Sequence, residues 1–139
     1  MNMGKIVRTL GVLIAMFIVA GCSAHSPFIV KDTTDTEVVS KRSYPPHQNE
    51  VFLTEQPLPP DCQAEVIATI QVGKIWYGDA KNIYESLANR ARELGADGVV
   101  EMKTWHQPSG FSWAAPHGSG KAVKLDDTSV FKQLTGEWR

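Results

Sequence analysis

Residues 79 to 105 constrain the fold more than any other stretch, because an amphipathic helix there runs almost directly into a strand. Ile83, Leu87, Ala91 and Leu94 recur at helical spacing with Tyr84 and Ala88 on the flank, while Arg90, Arg92 and Glu93 take the wet side. Asp79 is placed to cap the first turn, where a carboxylate accepts from backbone N–H groups that have no partner inside the helix. Gly95 supplies the left-handed residue that stops it. After the turn Gly95-Ala96-Asp97-Gly98, the run Val99 to Trp105 reads as an alternating strand. A helix joined this tightly to a strand has to lay its apolar stripe on the sheet that holds that strand.

Three further segments read as strands. From Ala64 to Val72, Val66, Ala68, Ile70 and Val72 face one way and Glu65, Thr69 and Gln71 the other, with Ile67 as the exception. Val51-Phe52-Leu53 is a short apolar run stopped by Pro57, Pro59 and Pro60, and Lys121 to Leu125 is a last short strand. The reading predicts an α+β domain over residues 49–139: a small sheet of about four strands, ββαββ-like, with one main helix packed on one face. Val130, Phe131, Leu134 and Trp138 in the tail form either a capping helix or a frayed extension. The segment from His106 to Gly120 reads as a long loop.

The N-terminus reads as an export signal. Lys5 and Arg8 precede the apolar run Leu10 to Ala20, which is 11 residues long, well short of the roughly 20 that span a bilayer as a helix. The run ends in Val19-Ala20-Gly21-Cys22, which resembles the lipobox of bacterial lipoproteins. The resemblance implies cleavage after residue 21 and lipidation of Cys22. Ser23, where aspartate would retain the protein at the inner membrane, implies the outer membrane, on its periplasmic face. Residues 22–48 are polar and unpatterned and read as a flexible tether reaching roughly 25–30 Å. Phe28-Ile29-Val30 is the local exception, suited to the lipid interface beside the anchor or to a strand on a partner.

Removing 21 of 139 residues leaves 118, and the loss of Lys5 and Arg8 takes the basic count from 14 to 12 against 15 acidic residues. That balance, without a basic block, argues against nucleic acid. With Cys22 consumed by lipid, Cys62 is alone. It is either a buried apolar side chain or a thiol able to bridge to a partner. No disulfide can brace the domain.

The stretch from Leu87 to Val100, with its Leu94-Gly95-Ala96-Asp97 stop running into Val99-Val100, resembles a signature of small bacterial envelope lipoproteins with a YbjQ-like or RcsF-like α/β domain. The Pro-Leu-Pro-Pro turn at 57–60 and Gly120-Lys121-Ala122-Val123 fit the same pattern. The resemblance covers roughly residues 50 to 125 and implies a ββαββ-like sandwich.

Chemistry-bearing clusters are sparse. His106 and His117 are weak candidates for a metal, but they are eleven apart and lack the close pairing of structural zinc sites. Ser109-Gly110 and Ser119-Gly120 do not form a Gly-x-Ser-x-Gly elbow, and Gly73 and Gly78 do not make a phosphate loop. No catalytic residue and no cofactor is expected. The remaining candidates are aromatic: Trp76 and Tyr77 between strand and helix, and Phe111 and Trp113 in the 106–120 segment. These rings either complete the small core or form a patch for a partner. The expectation is a non-enzymatic, lipid-anchored interaction or sensing module with an envelope protein as partner. A small metal- or ligand-binding domain is the alternative, and a hydrolase comes third.

Overall fold

The computed structural model describes residues 32–110 and 112–139; the expectations for residues 1–31, Cys22 among them, and for Phe111 lie outside these. The domain is a six-stranded mixed sheet with one α-helix, α1 (Lys81–Glu93), packed on one face and a 3₁₀ segment, Thr128–Gln133, on the other. In chain order the strands are β1 (Asp32–Val38), β2 (Phe52–Leu53), β3 (Ala64–Lys74), β4 (Gly98–Ser109), β5 (Ser112–Leu125) and β6 (Glu137–Trp138). They lie in the order β1-β3-β5-β4-β2-β6, and only the β2–β4 pair is parallel.

This overturns the four-strand ββαββ expectation at three places. Residues 32–38, read as part of a tether, form edge strand β1. Its threonines suit extended backbone, and an edge strand is held by its ladder to β3, so it needs no apolar alternation. The segment 106–120, read as a loop, is a β-hairpin in which β4 and β5 continue to Ser109 opposite Ser112. The small residues that made it look irregular are places of close approach: a Cβ on Gly118 would run into Ile83 of α1, and one on Gly120 into Val99. Pro116 is tolerated because pairing of β5 with β3 has ended at His117, leaving one unpaired side where a missing N–H costs little. The tail, finally, returns to add β6 beside β2.

The helix reading stands with a small shift. The N-cap is Ala80, without a side-chain bond, and Asp79 accepts from Lys81 N at 3.3 Å. At the other end Gly95 is left-handed, with φ 75°. Ala96 N reaches Ala91 O at 2.9 Å and Gly95 N reaches Arg92 O at 3.1 Å, the paired bonds of a Schellman stop. Asp97 then fastens the turn to the end of β5, accepting from Leu125 N and from Lys124 Nζ.

Two cores result. Under α1, Ile83, Leu87, Ala88 and Ala91 meet Ile67, Ala68, Ile70, Val72 and Val99. On the opposite face Phe52, Val100, Val123 and Leu125 are covered by Phe131, whose ring stacks on Phe52 at 4.8 Å. Cys62 is half-buried against this second cluster.

Candidate functional site: the aromatic end of the sheet

Two connections meet at one end of the sheet. The first is Ile75–Gly78, which leaves β3 for α1, and the second is the tip of the β4–β5 hairpin. They touch directly: a Cβ on Gly110 would lie 2.8 Å from Ile75, and His106 Nε2 is 3.4 Å from the Gly78 carbonyl. The sequence candidates Trp76, Tyr77 and Trp113 are therefore gathered at a single end. Trp76 is 60% exposed, Tyr77 55% and Trp113 82%. Their alternative role, folding back into the core, is excluded by that exposure. Trp76 and Tyr77 pack edge to face with ring centres 6.1 Å apart. A shallow hollow bounded by Pro108, Ser109, Gly110, Ser112 and Trp113 lies at the tip. Among the described residues three other large apolar side chains are exposed: Val38 at the far end of β1, Val39 just past it, and Trp138 in β6.

The two histidines behind the tip do different things. Trp105 pairs with His117 and His106 with Pro116, so the histidines occupy successive rows of the sheet and project from opposite faces. His117 is buried, its ring over Gly73 and 6.1 Å from that of Trp105. Nδ1 is 3.1 Å from the Ala115 carbonyl, which can only accept, so the neutral ring carries its proton there. Burial, with a smaller contribution from nearby His106, holds the His117 pKa below the usual histidine range. Both ring contacts go to backbone carbonyls and neither to Ser109 or Ser119. Among the described residues no group of three or more His, Cys, Asp or Glu side chains is placed to hold a metal ion.

A second concavity went unnoticed in the sequence. Leu53, Tyr84 and Met102 floor a groove of about 520 Å³, rimmed by Glu55 and Glu137. Beside it β4 bulges after Val100, where Glu101 adopts φ 52°. The irregularity lets Met102 N bond Thr54 O and Glu101 N bond Gln56 O. Burial and then the Glu55, Glu137 and Asp79 carboxylates raise the pKa of the Tyr84 phenol. A left-handed glutamate inside an alternating strand leaves no trace in a periodicity.

No protein-family model matches the chain, and no curated protein matches it. Among solved structures, the crystal structure of a Francisella virulence factor, FvfA, in its orthorhombic form is similar at 12% identity with a TM-score of 0.49, spanning 66% of this chain and 97% of that one. At that distance the function has to be argued from the site.

Proposed function

We propose that this chain is a lipid-anchored, non-enzymatic module of the bacterial cell envelope, held through Cys22 at the periplasmic face of the outer membrane, and that it binds its envelope partner through the aromatic end of the sheet. The observation that carries the binding surface is the joint exposure of Trp76, Tyr77 and Trp113 on two touching connections. Large rings held in water on a rigid scaffold lose little conformational entropy on contact, which is why they anchor interfaces. The anchor is supported by the brief apolar run and the Val19-Ala20-Gly21-Cys22 motif. No helix among the described residues is long and apolar enough to cross a membrane.

Two measurements test the proposal. A photo-crosslinking amino acid at position 113 or 76 in living cells should give a discrete adduct, and one at Lys132 on the 3₁₀ segment should not. Silence at both aromatic positions would remove a protein as the occupant of that surface. Mass spectrometry of the native protein should find an acylated N-terminal cysteine; an intact Met1 or an unmodified sulfur at position 22 would remove the anchor.

A further inference from the structure

The aromatic end is also where the chain joins the sheet. β1 begins with Asp32 opposite Lys74, the last residue of β3. In the next row Thr33 pairs with Gly73, Gly73 with His117 and His117 with Trp105. The first residues of β1 therefore belong to the same end of the sheet as the Ile75–Gly78 connection and the upper part of the hairpin. The far end of β1, at Val38, is about 20 Å further along the strand. Cys22 precedes Asp32 by ten residues, a span of at most about 33–36 Å when fully extended and roughly 16–19 Å as an rms distance for a flexible chain. A lipid on Cys22 would thus leave this end within reach of the bilayer.

Resting on the anchor and binding surface proposed above, we infer that the occupant of the aromatic end is the bilayer surface itself, with Trp76, Tyr77 and Trp113 seated among the headgroups of the membrane that holds Cys22. Tryptophan and tyrosine have an apolar body and a polar tip, and that pairing concentrates them at membrane–water boundaries. The charge agrees. Met102 to Gly120 contains no Asp or Glu, and together with Lys74 to Asn82 and the start of β1 this end carries Lys74, Lys81 and Lys103 against Asp32 and Asp79, on a chain whose acidic residues outnumber its basic ones. An end with this slight excess of lysine meets anionic headgroups without net repulsion. Because the lipid has already brought the domain to the surface, the aromatic contact is effectively intramolecular, and weak individual rings suffice. The domain is then held at two points.

The test uses the full mature protein, its acylation verified by mass, reconstituted into vesicles of phosphatidylethanolamine and phosphatidylglycerol whose acyl chains are brominated near the headgroup. Bromine quenches tryptophan on contact. Trp76 and Trp113 are two of four tryptophans, so the emission should fall by roughly half relative to unbrominated vesicles. The double variant Trp76→Phe, Trp113→Phe, both conservative changes at exposed positions, should keep its circular dichroism and lose the quenching. Unquenched parent protein overturns the inference, as does equal quenching of the double variant. If quenching is absent while position 113 still crosslinks to a protein in cells, the binding surface survives and its occupant is that protein. If both are absent, the surface itself is refuted.

Discussion

Phe131→Ala tests whether the 3₁₀ segment is a structural cap or a frayed tail. The ring is about 1% exposed, stacks on Phe52 at 4.8 Å and meets Trp138 edge-on at 5.7 Å. It also lies against Gly98, where an added Cβ would come within 2.6 Å of it. Leu58, Val130 and Leu134 pack around it only partly buried, so truncation leaves a cavity at the centre of the second core. Deleting a buried phenylalanine ring costs about 3–5 kcal/mol, a large share of the roughly 5–15 kcal/mol of a whole domain. With a urea slope near 2 kcal/mol/M, the midpoint should fall by about 2 M with the slope unchanged. Equilibrium urea unfolding, followed by tryptophan emission and by circular dichroism in parallel, reads this directly. A cost below about 1 kcal/mol would mean that the tail frays in solution, and the two-core account would fail.

Three other outcomes follow from particular contacts. His117 has a folded-state pKa below its unfolded value, so the unfolded chain binds the extra proton; stability is full above the ordinary histidine pKa and falls as pH drops below it, levelling off once the folded pKa is passed. Melting temperature should therefore decline between pH 7 and pH 5 and the decline should shrink in His117→Gln; an unchanged or rising melting temperature in the parent refutes it. Gly118→Val puts methyl groups into Ile83 and should cost about 1–3 kcal/mol in urea unfolding, whereas no cost would mean that α1 does not press on β5. Glu101→Gly relieves a left-handed residue at the expense of glycine's entropy and of a half-exposed ion pair with Lys121, so stability should change by between zero and about +1 kcal/mol; a measurable loss would show that the ion pair and glycine's entropy outweigh the strain.

What the sequence disclosed about the fold was whatever leaves one face dry. α1 and its Gly95 stop were legible because burial under a helix imposes a period on Ile83, Leu87 and Ala91, and because a left-handed residue without a Cβ has few substitutes. Even the break in the β3 alternation was informative. Ile67 is the extra residue of a bulge between Val66 and Ala68, and its carbonyl accepts from both Val39 and Ser40. What stayed hidden was pairing. β1 is held by its ladder and by side chains such as Thr36, which accepts from Arg90 Nε. The chain after it is pinned by Ser40 and Tyr44 donating to Glu65. None of these interactions repeats along the chain, so a polar segment bound in this way reads as a tether.

The hairpin was misread for the opposite reason: Gly118 and Gly120 look like flexibility when scanned along the chain but mark the tightest packing across it. The same distinction governs the site. Trp76, Tyr77 and Trp113 were visible as residue types that seldom face water without a use, yet their convergence depends on β5 continuing past His117 to a turn that touches Ile75. Once that pairing is in place, the register of β1 adds a second constraint, because it assigns the incoming chain to the same end as the rings. An anchor and a ring of exposed aromatics at opposite ends would describe a module reaching away from the membrane. With the proposed lipid on Cys22, a shared end is the one that would lie against the bilayer.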